Sequence, residues 1–235
     1  MKVKGQSTIV ALDVNSRLEA LSLVEALSGH AGMFKVGSEL FTVAGPTIVR
    51  EIVDRGECLF LDLKFHDIPN TVSRAAVEAA NLGVSMMTLH AAGGPQMIGQ
   101  TIKQLEDSFA DKRPLVVAVT VLTSIDAHAL VSSGVKETLS EHVLRMGRMA
   151  LEAGADGWVC SPHEISSLRS EFGVEPKIVT PGVRMPNQSS DDQQRIATPA
   201  EALAAGANHI VIGRYVNRAD NPRAALDAVI SSLDG

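Results

Sequence analysis

The chain has 235 residues, 45% of them hydrophobic and 20% charged, with a formal net charge of −6 and a pI near 5.6. This length and composition predict one globular domain, residues 1–235, with a sizeable core. The acidic balance argues against a general binder of nucleic acid or of anionic membranes, but it is compatible with a local basic pocket for a phosphorylated small molecule. No apolar stretch approaches the roughly 18 residues of a membrane-spanning helix, so we expect a soluble, cytoplasmic protein.

Short apolar runs recur along the chain, and longer segments with helical spacing separate them. Eight runs are predicted strands: 8–13, 33–36, 58–64, 86–90, 115–122, 157–160, 177–180 and 209–213. Between them, apolar residues at helical spacing form three stripes: Leu18, Leu21, Val24 and Leu27; Val72, Ala76, Ala79 and Ala80; Val143, Met146, Met149 and Ala150. Alternating strands and helices are typical of βαβ units and a parallel sheet.

Eight strand candidates in this length favour a (β/α)8 TIM barrel, whose usual size is about 250 residues. A doubly wound open sheet is the alternative. It is weakened because no Gly-x-Gly-x-x-Gly follows the first strand, where the chain reads Leu-Asp-Val-Asn-Ser-Arg from Leu12 to Arg17. We see no linker that would divide the chain into two domains.

The strongest local feature is the run Asp-Leu-Lys-Phe-His-Asp-Ile-Pro-Asn-Thr from Asp62 to Thr71, directly after an apolar strand. Side chains at i and i+2 of an extended segment share a face, so Asp62 and Lys64 point the same way. Pro69 suits the first turn of a helix. A surface ion pair would explain an isolated Asp-x-Lys, but other polar residues follow the remaining strands.

Charged and polar residues lie at the predicted carboxyl ends of most strands, where the chemistry of a barrel gathers. They are Asp13, Lys35, Asp62, Lys64, Asp67, His90, Thr123, Ser124, Arg184 and Arg214. A structural ion pair does not need partners at the same end of six strands. This convergence predicts an enzyme with a charged substrate.

The last two strands lead into a predicted phosphate site. Each is followed by a glycine and an arginine, in Thr-Pro-Gly-Val-Arg184 and Val-Ile-Gly213-Arg214-Tyr. Glycine lets the backbone approach an anion, and arginine supplies a bidentate donor. The loops after strands 7 and 8 are a frequent phosphate position in this fold. The long polar loop 185–195 has the character of a lid over a ligand.

Cysteine and histidine give no sign of a metal. Cys58 and Cys160 each lie in an apolar run, so we expect buried free thiols. The histidines that follow or begin strands lack i,i+4 spacing with one another, so no zinc site is expected; they are His66, His90, His163 and His209.

With these residues identified, the chain resembles the orotidine 5'-phosphate decarboxylase family. The run from Asp62 to Thr71 matches the family's signature without gaps. Shorter matches extend along the chain: Ala-Leu-Asp13, Phe-Lys35-Val-Gly, Leu-His90-Ala, Leu-Thr123-Ser, Pro-Gly-Val-Arg184, Asp-Asp-Gln193 and Ile-Gly-Arg214. The resemblance implies a compact, bacterial-type barrel that converts orotidine 5'-phosphate to uridine 5'-phosphate and CO2 without a metal or other cofactor.

The resemblance also implies a role for each residue. Lys35, Asp62, Lys64 and Asp67 would form an alternating array, with Asp67 contributed by the other subunit of a homodimer, and Lys64 would protonate C6 of the pyrimidine. The implied substrate contacts are Asp13 and Lys35 at the ribose hydroxyls, Thr123 (or the adjacent Ser124) at the pyrimidine, and Gln193 (or Gln194), Gly213, Arg214 and Arg184 at the phosphate, with Thr71 also among the substrate-binding residues.

Two other functions fit parts of this pattern. Related barrels that act on sugar phosphates share Asp-x-Lys-x-x-Asp but use Mg²⁺ to stabilise an enediolate. Lys35 argues against them, because a cation there would disfavour a nearby metal ion. A phosphate-binding barrel without catalysis is a third possibility, which the complete charged array disfavours.

Overall fold

A computed structural model describes residues 4–185 and 197–234 and shows a closed barrel of eight parallel strands that pair in chain order, with β8 beside β1. The strands are β1 (Thr8–Ala11), β2 (Met33–Gly37), β3 (Leu59–Phe65), β4 (Met86–His90), β5 (Leu115–Val119), β6 (Gly157–Val159), β7 (Lys177–Thr180) and β8 (His209–Ile212). The predicted (β/α)8 fold is confirmed, and each predicted run overlaps one strand, with β2 and β3 each ending one residue later than predicted.

Helices alternate with the strands and cover the outside of the barrel. They are α1 (Arg17–Leu27), α2 (Ser38–Ala44), α3 (Pro46–Val53), α4 (Pro69–Asn81), α5 (Gly94–Phe109), α6 (Ala127–Ser132), α7 (Leu139–Glu152), α8 (Ile165–Phe172), α9 (Pro199–Ala204), α10 (Arg214–Asn217) and α11 (Pro222–Ser231). In the described ranges, none of them is both long enough and apolar enough to cross a membrane.

Local sequence signals set several helix starts. Pro69 occupies the first turn of α4, as predicted, where its missing N–H costs no hydrogen bond. The Thr138 side chain accepts a bond from the backbone N–H of Glu141, whose own side chain accepts one from the backbone N–H of Thr138. This capping box begins α7 and satisfies backbone donors that lack partners at a helix start.

Two of the three predicted apolar stripes face the core, whereas the stripe on α1 is partly wrong. Leu18 is 74% exposed, and the buried residues of α1 are Ala20, Leu23, Val24 and Leu27. Leu18 lies roughly 200° around the helix from Ala20, so it faces solvent when Ala20 faces the barrel. A stripe begun at Leu18 therefore included one residue from the wrong face.

The prediction that both cysteines are buried is confirmed for Cys160 and wrong for Cys58, which is exposed. The reason is the start of β3, which falls at Leu59. Cys58 therefore lies in the connection that enters the barrel and not in the buried strand.

The barrel interior is apolar at the end where the strands begin and polar at the end where they finish. A compact cluster of buried side chains fills the apolar part: Ile9, Phe60, Met86, Val117, Val119, Val159 and Val179. Because side chains alternate along a strand, the residues two and four positions after Phe60 are Asp62 and Lys64. The polar layer thus lies directly above a packed floor.

Candidate active site

A network of two lysines and two aspartates occupies the carboxyl ends of β1 to β3. Lys35 is only 8% exposed. Its Nζ lies 3.1 Å from Asp13 Oδ1 and 3.7 Å from Asp62 Oδ2. Lys64 Nζ lies 2.9 Å from both carboxylate oxygens of Asp62. A buried ammonium is tolerated only when it is paired, and here two ammonium groups meet two carboxylates.

The four residues differ in their access to solvent. The side chains of Lys35 and Asp62 are 10% and 13% exposed, and those of Lys64 and Asp13 are 37% and 51% exposed. Lys64 therefore keeps contact with solvent at the carboxyl end of β3, while Asp62, its more buried partner, holds its Nζ. This arrangement presents a positioned proton donor to a molecule that enters from that end.

Gly37 makes room for this network. A Cβ atom at Gly37 would lie 3.1 Å from Lys35 Nζ and 3.7 Å from Asp13 Oδ1. Any larger side chain would press on the ammonium group, so the last residue of β2 needs to be small. Gly37 is not among the predicted site residues, although it closes the matched run Phe-Lys35-Val-Gly and lies on the same face of β2 as Lys35.

Thr88, on β4, is a second residue that the sequence argument missed. It is fully buried, and its hydroxyl contacts both Asp62 and the backbone of Lys64. Nothing in its sequence position distinguishes Thr88 from a threonine that serves only packing, so only these contacts reveal it.

Asp67 and Thr71 lie outside the network within this chain. Both are exposed, and the Asp67 carboxylate accepts a 2.6 Å hydrogen bond from the backbone N–H of Ile68. In the part of the chain that the structure describes, Asp67 joins no ion pair. The fourth charge of the predicted array is therefore turned away from the lysines of its own chain.

Asp13 and Arg214 line one cavity of about 300 Å³ at the junction of β8 and β1. Gly213, the residue between β8 and α10, leaves room for the Asp13 side chain. A Cβ atom at Gly213 would lie 3.3 Å from Asp13 Oδ2. Asn217 also lines the cavity, and its side-chain N–H donates to the carbonyl oxygen of Ala11 at 2.6 Å. This bond ties α10, which Arg214 begins, to the end of β1.

The other predicted ligand contacts are only partly described. Arg184 follows β7, where its backbone N–H donates to the carbonyl oxygen of Ala197 at 2.9 Å. Thr123 is partly buried in the turn after β5. Gln193, and the loop predicted as a lid beyond Met185, lie outside the described residues.

His66 and His90 stack beside Lys64, with ring centroids 5.2 Å apart and planes 20° from parallel. The pKa of His90 is lowered, mainly by burial and further by the positive charges of His66 and Lys64. The pair therefore favours a neutral His90 ring next to the ammonium group. In residues 4–185 and 197–234, no three or more His, Cys, Asp or Glu side chains are grouped to hold a metal ion.

The fold and the site together define a (β/α)8-barrel enzyme with a charged network at the carboxyl end of its strands. The sequence profile of the orotidine 5'-phosphate decarboxylase / HUMPS family matches residues 7–229. The chain belongs to this family.

Individual relatives agree with the profile over nearly the whole chain. An orotidine 5'-phosphate decarboxylase of Pseudoalteromonas translucida is 46% identical over 231 residues, 98% of either chain. One of Vibrio cholerae is 44% identical and covers 96% of this chain and 97% of its own. The crystal structure of the Lactobacillus acidophilus enzyme of that name superposes with a TM-score of 0.86 at 36% identity, covering 97% of this chain and 99% of that chain.

Proposed function

We propose that Lys64 is the general acid in a cofactor-free decarboxylation of orotidine 5'-phosphate. The reaction itself, which yields uridine 5'-phosphate and CO2 in pyrimidine biosynthesis, follows from the family and from decarboxylase relatives at 44–46% identity. The observation that carries the role of Lys64 is its partly exposed ammonium group, held 2.9 Å from Asp62 at the open end of the barrel.

The chemistry demands a cation at this position. Loss of CO2 leaves a pair of electrons on C6 of the pyrimidine ring, and no cofactor delocalises them. A fixed ammonium group stabilises that charge more than it stabilises the substrate, which is how binding energy lowers a barrier. Transfer of one Lys64 proton to C6 then completes uridine 5'-phosphate, and solvent returns a proton to the amine.

Asp62 and Asp13 have different proposed roles beside the two lysines. Asp62 orients Lys64 from beneath and, in the proposed substrate pose, lies beside the departing carboxylate. Asp13 and Lys35, 3.1 Å apart, would hold the ribose hydroxyls, with one acceptor and one donor for adjacent oxygens. Thr123 would contact the pyrimidine, and Thr71 would be a further substrate contact.

The proposed phosphate site lies at the ends of β7 and β8. Arg214 and Gly213 are supported by the cavity that Arg214 shares with Asp13, because a ribose held at Asp13 places its 5'-phosphate nearby. Arg184 and Gln193 would complete the site. The phosphate is remote from the bond that breaks, so its binding energy serves to position the reacting carbon.

We also propose a homodimer in which Asp67 enters the partner's site, in the cytoplasm. Asp67 is exposed, and the adjacent Ile68 is 66% exposed. A mainly apolar cleft of about 410 Å³ lies behind β3, where Phe41, Leu63 and Phe65 line it. Exposed apolar surface beside a charge that lacks a place in its own site supports an interface here.

The dimer is tested by co-expressing two inactive chains, Lys64→Ala and Asp67→Asn, with different affinity tags. A mixed dimer would contain one site with both residues intact. With random pairing, about a quarter of all sites are then active, because half of the dimers are mixed and half of their sites are complete. The absence of any activity in purified mixed dimers would contradict a shared site.

The reaction is tested by adding chelator-treated protein to orotidine 5'-phosphate and following the ultraviolet absorbance as uridine 5'-phosphate forms. We expect full conversion without metal. Activity that appears only with Mg²⁺, and only on a sugar phosphate, would instead place the chain with the metal-dependent barrels that share Asp-x-Lys-x-x-Asp.

A further inference from the structure

We propose that Thr88 is a positioning residue for the decarboxylation, because its one hydroxyl fixes both the Asp62 carboxylate and the backbone of Lys64. The inference rests on the role proposed for Lys64. It concerns a residue of β4 that lies outside the charged signature and 26 positions from Asp62 along the chain.

The two hydrogen bonds of Thr88 have a fixed direction. Its Oγ1 lies 3.0 Å from Asp62 Oδ1 and accepts a 2.8 Å bond from the backbone N–H of Lys64. A hydroxyl has one hydrogen, and an ionised carboxylate only accepts, so the Thr88 hydrogen goes to Asp62. The Lys64 amide then occupies a lone pair of the same oxygen. Thr88 is fully buried, so solvent does not replace either bond.

The backbone of β3 requires this support at Lys64. Lys64 has φ +52°, and Ala110 is the other non-glycine residue with positive φ in the described ranges. The ladder between β3 and β4 also shifts here: Leu61 pairs with Met87 and Phe65 with Leu89, four steps along β3 against two along β4. Such irregularities redirect side chains at active sites and persist only where the surroundings hold them.

Thr88 lies opposite this irregularity, between the two paired residues of β4. Its hydroxyl accepts the Lys64 N–H that the regular strand ladder would otherwise pair. Thr88 therefore holds Asp62 and Lys64 at the point where β3 carries two more residues than β4.

The consequence reaches the proposed proton donor. Asp62 Oδ1 receives Thr88 on one side and Lys64 Nζ, at 2.9 Å, on the other. Thr88 therefore limits rotation of the carboxylate that holds the ammonium group, and it also limits movement of the backbone that carries that group. It contacts the two reacting-site residues and not the substrate, so its loss should affect the chemical step more than binding.

The test compares Thr88→Val, which removes only the hydroxyl, with Thr88→Ser, which retains it. We expect Val to lower kcat by about 10- to 100-fold, since small misplacements of catalytic groups have effects of this size. The KM, and the Kd of uridine 5'-phosphate measured by calorimetry, should change by less than about threefold. Ser should restore kcat to within about threefold of wild type.

Thr101→Val is the matched control. Thr101 is also fully buried, and its hydroxyl donates to the carbonyl oxygen of Met97 at 2.8 Å within α5. Loss of that hydroxyl should lower Tm without lowering kcat. If Thr88→Val fails to fold, Thr88→Ala replaces it, with the same expectations.

Unchanged kcat in Thr88→Val, an equal loss in Thr88→Ser, or an equal loss in Thr101→Val would overturn the proposal. Lys64→Ala in the same assay separates this failure from that of the proposed function. An active Lys64→Ala enzyme would refute the general acid itself, whereas an inactive one beside a fully active Thr88→Val enzyme would refute only the role of Thr88.

Discussion

The two ends of the barrel hold ion pairs of similar composition that use their hydrogen-bonding capacity differently. At the end where the strands begin, Arg113 meets Asp156 through two bonds of 2.7 and 3.0 Å, and Asp156 also accepts from the backbone N–H of Val116. At the opposite end, the single carboxylate of Asp62 serves both Lys35 and Lys64.

The difference separates a structural pair from one available for chemistry. The planar guanidinium of Arg113 fits its carboxylate side by side, and this hydrogen bond is the main reason that its pKa is raised. The ammonium group of Lys64 can rotate, contacts the single carboxylate of Asp62, and is partly exposed at the carboxyl end of the strands. In this fold, the end where strands begin generally supports stability and the end where they finish supports function.

Removal of the Lys64 ammonium group should produce the largest effect. We expect Lys64→Ala to lower kcat by at least about 10³-fold, since both the proposed proton donor and its fixed charge are lost. The Tm should change by only a few degrees, because Asp62 retains Thr88 and Lys35. Steady-state kinetics and calorimetry measure the two effects. Lys103→Ala, on an exposed part of α5, is the control. Near-normal turnover by Lys64→Ala would contradict a functional role for the ion pair of Lys64 with Asp62.

Arg214→Ala tests the same end of the barrel at its proposed phosphate contact. Loss of a charge-assisted bond should lower kcat/KM for orotidine 5'-phosphate by about 10²-fold. It should hardly affect the nucleoside without phosphate, assayed at high concentration. The exposed Arg223→Ala on α11 is the matched control. Equal losses on both substrates would assign Arg214 a structural role instead.

A substitution at the end where the strands begin should change the stability of the protein and not its rate of catalysis. Asp156→Asn leaves Arg113 with a neutral partner, and we expect a loss of about 2–3 kcal/mol of unfolding free energy, less than for a fully buried pair because both side chains keep some solvent contact. Urea unfolding measures the loss, and kcat should remain at the wild-type value. Glu137→Gln, in the exposed pair with Arg145, should change stability much less, because solvent screens that pair. A large fall in kcat for Asp156→Asn would contradict the division between the two ends.

The smallest expected effect is on the loss of thermal stability as the pH falls. The folded-state pKa of His90 is lowered, so the unfolded chain takes up a proton more readily. The stability that the neutral ring contributes is therefore present above the unfolded pKa of about 6.5 and is lost as pH falls through the lower folded pKa. His90→Asn, which keeps an acceptor for the Ala92 N–H, should flatten the dependence of Tm on pH between about 7 and 5.

The exposed His128 provides the comparison for that measurement. His128→Asn makes the same exchange of an imidazole for an amide at an exposed position, away from Lys64 and His66. Equal slopes for wild type and His90→Asn would show that His90 protonates as readily in the folded protein as in the unfolded chain.

The sequence by itself determined most of the fold and the chemical composition of the site. Alternating strand and helix patterns predicted eight strands, and each observed strand overlaps its predicted run. The run from Asp62 to Thr71 identified the charged residues and the family, because side-chain periodicity and residue chemistry are local properties. Within one chain Asp62 contacts both Lys35 and Lys64, whereas Asp67, which the resemblance assigns to the other subunit's site, forms a hydrogen bond with the backbone of Ile68.

Only the tertiary structure decided how those residues are held. Thr8, Thr88 and Thr180 are the threonines of the eight strands, and sequence does not distinguish Thr88 until the pairing of β3 with β4 places its hydroxyl against Asp62. Gly37 becomes necessary only because the side chains of Lys35 and Asp13 meet beside it. The exposure of Leu18 depends on the rotation of α1, and that of Cys58 depends on where β3 begins. Composition gives neither. These properties depend on contacts between segments far apart in the chain, and such contacts exist only after the barrel has closed.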